Sequence, residues 1–185
     1  ADWVNKFEKE GTYKETFTDI NSNKSEIDFM HRLMDIEYYE NGDTKAVKLP
    51  YTNGLSMIVV LGDTKNILDV IQNNKMTSEI VNVSLPKFKA EYSIDYTDTL
   101  KNMGIEKAFS NANADFSLML ENYPESIKID SVLQKAMIDV DEKGTEAAAA
   151  TSTIMVGTGA DTTLEKIIEF RADKPFTYYI LDDNG

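Results

Sequence analysis

Few side chains in this sequence could do chemistry, and their types exclude most reactions. His31 is the only histidine and there is no cysteine. A zinc site of the usual kind needs several imidazoles or thiolates, which this set does not supply. A Ser–His nucleophile would have to use His31, which lies in DFMHRLMDIEYY among bulky residues and reads as a structural residue of a strand. The acidic pairs Asp141/Glu142 and Asp182/Asp183 have the residue types of a carboxylate dyad, but they read as solvated turn residues. GTGA at 157–160 lacks the lysine and the preceding strand of a phosphate-binding loop. No active site of its own, no metal and no cofactor are expected, so the chain reads as a non-enzyme.

What stands out instead is DEKGTEAAAATSTIMVGTGADTT at 141–163. From Ala147 to Ala160 no side chain is charged, although charged residues make up 28% of the chain. The alanines at 147–150 behind a Thr145 cap favour a short helix. Gly157, Gly159 and the β-branched Thr151, Thr153, Ile154 and Val156 oppose one. The Thr, Ser and Gly content argues against a permanent place in a core. On composition alone, helix, loop and strand all remain open.

The elements that must position this run are mostly strands. Met30, Arg32, Met34, Ile36 and Tyr38 alternate on one phase, and ENGDTK at 40–45 offers an Asn-Gly hairpin turn before AVKLPY. LSMIVVLG at 55–62 is a continuous apolar run, as expected of a strand covered on both faces. Ile67, Leu68, Val70 and Ile71 have helical spacing within 64–75. VNVSLPKFKAEYSIDY at 81–96 reads as two strands joined at Pro86, with Phe88, Ala90, Tyr92 and Ile94 on one side of the second. TDTLKNMGIEKAF at 97–109 reads as a short helix with a Thr or Asp cap, turning Leu100 and Met103 inward. SVLQKAMIDVDEKG at 131–144 is a further strand with Ala136, Ile138 and Val140 on one face, and Phe176, Tyr178 and Ile180 alternate near the end. The prediction is a sheet-rich α+β chain of roughly eight or nine strands with two or three short helices. No long amphipathic helix is present to cover that much sheet, which implies a missing partner.

The totals bound the partners. The chain has 185 residues, 42% of them hydrophobic and 10% aromatic, enough for a sizeable core. Lys plus Arg number 19 against 32 Asp plus Glu, for a net charge of -13, so phosphate backbones are repelled and no nucleic-acid partner is expected. No apolar run approaches the roughly 18 residues of a membrane helix, so no membrane partner is expected either. The opening ADWVNKF has neither the basic start nor the apolar stretch of a signal peptide, and the natural N-terminus is expected upstream.

At this point four segments together resemble the C-terminal half of a serpin, a serine protease inhibitor of the conformational-trap type. VNVSLPKFKAEYSIDYTDTLKNMGIEKAF is similar to the family's strand–strand–helix passage, with Leu-Pro-Lys-Phe at 85–88 and a turn at Met103-Gly104. VLQKAMIDVDEKGTEAAAAT at 132–151 is similar to the fifth strand of the central sheet followed by the loop hinge. FRADKPFTYYI at 170–180 resembles the C-terminal signature, with Asp173, Lys174, Pro175 and Phe176 in place, and KLPYTNGLSMIVVL at 48–61 resembles a strand pair of the second sheet. Trp3 and Phe7 resemble the tryptophan-containing start of the strand after the central sheet's third strand.

The resemblance implies a serpin fold, with residues 1–185 forming the C-terminal part of one domain. They would supply strands of three sheets, a few short helices and a reactive-centre loop at about 144–169. It implies that the N-terminal helical half and the last strand lie outside this chain, that the rest of the fold is a partner, and that the setting is extracellular or secreted. Three positions depart from the pattern. Gln134 stands where a histidine is usual, Thr177 stands where the signature has an apolar residue, and the stretch between hinge and signature is longer than usual.

Within that resemblance the opening run acquires a purpose. In the family, the loop is cleaved by the target protease and its N-terminal side inserts as a new strand in the central sheet, a strand-addition mechanism that releases stored strain. The implied hinge comprises Glu142, Gly144, Thr145, Glu146, Ala147, Ala148, Ala149, Ala150 and Thr151. Period-2 alternation puts Thr145, Ala147, Ala149, Thr151 and Thr153 on one face and Glu146, Ala148, Ala150 and Ser152 on the other. Short uncharged side chains enter a packed gap without overpacking, whereas a buried unpaired charge costs several kcal/mol. No proline interrupts 144–160, so every amide there can donate to a ladder. Inserting about a dozen residues at roughly 0.5–1.5 kcal/mol per hydrogen bond gives on the order of 10 kcal/mol.

Family spacing counted from Glu142 implies a scissile bond at Thr158-Gly159, and counting back from Pro175 gives Leu164-Glu165 as the alternative. The first is preferred because the hinge-to-bond length is mechanically constrained. A small uncharged residue at 158 suits an elastase-like or subtilisin-like serine protease, and the implied function is suicide-substrate inhibition that traps the protease covalently. The alternative is a non-inhibitory serpin acting as a binding, carrier or structural protein.

Overall fold

The computed structural model describes residues 1–119, 127–144 and 166–182. The chain divides into two compact units, one of Ala1–Phe88 with Asp139–Gly185 and one of Lys89–Ile138.

The first unit is built on a seven-stranded sheet. Its strands are β1 (Thr12–Thr18), β2 (Lys24–Asn41), β3 (Thr44–Pro50), β4 (Ser56–Leu61), β5 (Thr77–Pro86), β8 (Ile168–Arg171) and β9 (Thr177–Leu181). The hydrogen-bonded order is β8-β5-β2-β3-β4-β9, with β1 paired to β2. All neighbours are antiparallel except β5 and β8, which run parallel. β2 organises the sheet. Its Met30, Met34, Ile36 and Tyr38 are buried on one phase, as the alternation predicts, while Leu33 on the other phase faces out. β4 is buried at every position, which explains its unbroken apolar run.

The β2–β3 corner differs in detail from an Asn-Gly turn. Asn41 pairs with Thr44, so the loop residues are Gly42 and Asp43, with Gly42 at φ +60°. Glycine first is the requirement of a type II′ hairpin, whose twist matches that of the strands it joins.

Helix α1 (Ile67–Gln72) covers one face of this sheet. Ile67, Val70 and Met76 form a cluster with Ala46, Ile58 and Val60, against which Ile71, Tyr179 and Leu181 also pack. Leu68, grouped with Ile67, Val70 and Ile71 by helical spacing, is exposed. On β9, Tyr179 and Leu181 face the α1 cluster, while Ile180 on the other phase is exposed. Phe176 and Tyr178 pack instead on Phe88, with ring centroids 5.6 and 5.5 Å away.

The second unit carries a two-stranded ribbon of β6 (Phe88–Asp95) and β7 (Leu133–Val140), with helix α2 (Thr97–Asn102). Helix α2 is shorter than predicted, and Met103, expected inward, is exposed. The expected Thr or Asp cap is not formed: the N-cap position is Tyr96, which makes no side-chain cap bond, and the first helical amide, Thr97 N–H, donates to the Asp95 side chain at 2.9 Å. On the faces grouped from sequence, Ala90, Tyr92 and Ala136 are exposed and Ile138 is half-buried. The described strands thus form two hydrogen-bonded sets where three sheets were anticipated, because the 18-residue β2 runs unbroken through positions that pair successively with β1, β5 and β3. Ile168 and Glu169, at the far limit of the expected loop, already belong to β8.

Candidate functional site

β7 ends at Val140, which is buried, and the chain then makes a tight turn through Asp141, Glu142, Lys143 and Gly144. The Asp141 carboxylate accepts from Lys143 N–H at 2.9 Å, and Gly144 N–H reaches back to the Asp141 carbonyl at 3.3 Å. An aspartate opening a turn in this way closes it through its own backbone neighbours.

The N-terminal residues fasten this turn. Trp3 N–H donates to the Lys143 carbonyl and Phe7 N–H to the Glu142 carbonyl, each at 3.0 Å. Trp3 Nε1–H donates to the Asp141 carbonyl at 2.9 Å. The indole is 1% exposed, stacks on Tyr51 at 4.4 Å and meets Phe7 edge-on at 6.4 Å. Both N–H donors of Trp3 are therefore used on the turn while its rings fill the space beneath, the arrangement a large aromatic with one side-chain donor favours when buried. Val4 N–H and Thr52 N–H tie the same segment to β3 and the loop after it, through the Pro50 and Asp2 carbonyls.

Gly144 lies at φ +120°. A Cβ there would sit 2.2 Å from the Ala1 carbonyl oxygen and 2.7 Å from Trp3 N, so glycine is required both by backbone conformation and by space. Gly144, a member of the expected hinge, is thus a position no other residue can take without moving backbone.

Glu142 is 6% exposed and its carboxylate accepts from Lys87 Nζ at 3.1 and 2.9 Å. Burial is the largest single influence and pushes this carboxyl up, but the Lys87 hydrogen bond, further hydrogen bonding to the carboxylate and the Lys87 charge together hold Glu142 below the ordinary carboxylate range. The same bond to Glu142 raises the Lys87 ammonium. Sequence reasoning missed Lys87 as a member of this site. Its segment was singled out, but a partner 55 residues away leaves no local spacing signal.

On the return side the chain is described again from Lys166. Ile167 is exposed, β8 begins at Ile168, and Phe170 and Ala172 are fully buried. Of the predicted site, Glu142 and Gly144 come together on the Trp3 segment. Thr145, Glu146, Ala147, Ala148, Ala149, Ala150, Thr151, Thr158, Gly159, Leu164 and Glu165 lie outside the described residues. Gln134 is exposed on β7. His31 holds the Gly11 carbonyl with Nδ1 at 2.9 Å and stacks on Tyr13 at 4.0 Å, a structural arrangement. Asp182 is exposed, and Asp183 lies outside the described residues. Among the described residues, no three His, Asp or Glu side chains gather closely enough to hold a metal ion.

Three comparisons bear on this geometry. The family model described as Serpin (serine protease inhibitor) matches residues 1–185. An uncharacterized serpin-like protein of Methanosarcina mazei is 36% identical over 193 residues, covering 97% of this chain and 44% of that protein. Serpin B4 of Homo sapiens is 34% identical over 197 residues, covering 96% and 48%. Among solved structures, the thermophilic serpin tengpin in its native state superposes with a TM-score of 0.72 at 30% identity, over 99% of this chain and 49% of that one. The chain spans a little under half the length of these curated relatives.

Proposed function

The chain belongs to the serpin family, and from that premise we propose that it is the loop-bearing part of an inhibitor of serine endopeptidases. In this reading the protein is a suicide substrate, not a catalyst, and it works in an extracellular or secreted setting. The observation that carries it is a junction. A turn held at Glu142 and Lys143 by backbone bonds from Phe7 and Trp3 precedes an uncharged run at 147–160 that opens with seven short side chains.

The roles follow from that junction. Gly144 is the pivot, and Glu142 with Lys87 fixes the frame from which the hinge moves. Thr145 to Thr151 are the residues that enter the central sheet, which the rest of the fold completes. The protease serine attacks the carbonyl of Thr158, the amide nitrogen of Gly159 leaves as an amine, and the acyl-enzyme ester forms. Insertion at on the order of 10 kcal/mol then competes with hydrolysis of that ester. An elastase-like or subtilisin-like enzyme fits the small residue at 158.

The test uses the full-length protein with a panel of serine proteases. A complex that survives boiling in detergent, with cleavage mapped by mass spectrometry between Thr158 and Gly159, is the expected result. Cleavage between Leu164 and Glu165 would move the bond and keep the mechanism. Complete turnover with no trapped protease would remove the inhibitory reading. A second reading, a binding or carrier serpin whose loop stays out, draws on Gln134 in place of the usual histidine. It predicts cleavage without any change in melting temperature.

A further inference from the structure

β8 is the first element the chain reaches after the segment 145–165, and it is the most weakly built strand of its sheet. It has four residues, lies at the edge of the described sheet, and pairs with β5 in the parallel sense. Short parallel pairing at an edge is less stable per residue than the antiparallel pairs elsewhere in the sheet. Phe170 and Ala172 plug its inner face. Arg171, between them, points to the opposite face.

That face has an unusual polar row. His31 pairs with Ser84 and Ser84 with Arg171, so the three side chains line up across β2, β5 and β8. Arg171 Nη2 reaches along this row to Glu15 on β1 and donates to its carboxylate at 2.7 Å. Arg171 Nε lies 3.6 Å from the Asp173 carboxylate, and the Asp173 carbonyl accepts from Thr18 N–H on β1 at 2.9 Å. The strand is thereby strapped to an element two strands beyond the one it pairs with.

Glu15 depends on this contact. Its side chain is 16% exposed, and its other close neighbour is His31 Nε2 at 3.4 Å. His31 Nδ1 is engaged with the Gly11 carbonyl, which only accepts, so Nδ1 carries the proton. Nε2, 3.4 Å from the carboxylate, is a buried nitrogen without a hydrogen-bond partner among the described residues. Arg171 is the cation that makes this half-buried carboxylate tolerable.

We propose that the Glu15–Arg171 pair is a clasp that keeps β8 in the sheet and fastens the C-terminal end of segment 145–165. Both are positioning residues. The consequence for inhibition rests on the loop reading above; the clasp itself does not. A loop fixed at its far end presents its scissile bond with less conformational freedom to lose on binding, so loosening the clasp slows capture of a protease.

The test is amide hydrogen exchange on the full-length protein, comparing β8 with β9 as an internal control. In Arg171→Met and Glu15→Gln the β8 amides are expected to exchange roughly threefold to tenfold faster, with β9 unchanged. The double swap Glu15→Arg with Arg171→Glu is expected to restore protection. If a variant fails to fold, the wild type decides. Raising salt from about 0.05 to about 1 M screens this half-exposed pair and should accelerate β8 alone. Unchanged β8 exchange, or equal acceleration of β8 and β9, overturns the clasp. Should inhibition be real, Arg171→Met associates several-fold more slowly with a protease while trapping the same fraction of it. Absence of any trapped protease alongside selective β8 exchange would dismiss the inhibitor and leave the clasp standing.

Discussion

The chain leaves its described structure at Gly144 and re-enters it at Lys166, and the two ends are held by different physics. The first end is fixed by backbone. Trp3 and Phe7 donate main-chain bonds into the turn, the indole donates a third, and Glu142 is buried against Lys87. The second end is a four-residue edge strand, plugged by Phe170 and strapped by a side-chain ion pair to Glu15. The backbone-fixed turn rests on several buried directional bonds that salt does not screen. A strand held by a half-exposed ion pair responds to salt and to single substitutions. In a protein proposed to swing its hinge into a sheet, this puts the fixed point where the motion starts and the adjustable one at the far anchor.

The contrast can be broken at the hinge with the largest effects. Trp3→Ala removes a fully buried aromatic stack and the bond to Asp141, and it should cost about 3–5 kcal/mol in denaturant titration of the full-length protein. Trp3→Phe should cost less than half of that. A cost for Trp3→Ala under about 1 kcal/mol would show that the turn does not depend on this segment. Gly144→Ala comes next, at about 2–3 kcal/mol, since the new Cβ meets backbone and the conformation is strained.

Glu142 gives a smaller effect with a defined pH signature. Lys87 is 37% exposed, which limits Lys87→Met to about 1–2 kcal/mol. Because the folded-state pKa of Glu142 is depressed, its contribution is present above the unfolded carboxyl value and is lost as pH falls through the lower folded value. Stability measured from neutral pH downward should therefore fall below about pH 4.5 in the wild type. The acid limb should be shallower in Glu142→Gln. Parallel acid limbs would show that the pair contributes nothing through ionisation. The smallest effect belongs to the far anchor, where raised salt should loosen β8 and leave the Trp3 turn unchanged.

Much of this was legible from residue patterns, for identifiable reasons. Met30, Met34, Ile36 and Tyr38 alternate because one face of β2 is buried along most of its length. Ser56–Leu61 is continuous because both faces are covered. The run at 147–160 stood out because fourteen consecutive uncharged residues are unusual in a chain that is 28% charged, but only the family resemblance made it a hinge. β1 escaped because Thr12–Thr18 is a polar edge strand whose side chains do not alternate between core and water. On β9 the alternation of Phe176, Tyr178 and Ile180 identified only one of two packed faces, because aromatic residues occupy both, Phe176 and Tyr178 against Phe88 and Tyr179 against the α1 cluster. Lys87, Tyr51, Glu15 and Arg171 escaped for a common reason. Each acts through a partner far along the chain, a distance that only folding closes.

The measurement that bears most directly on the inhibitory reading is the melting temperature of the full-length protein before and after a single cleavage between Thr158 and Gly159. Insertion of the hinge, at on the order of 10 kcal/mol, predicts a rise of about 20–40 °C in the nicked protein. A nicked protein that melts at the same temperature as the intact one, or below it, would contradict the account.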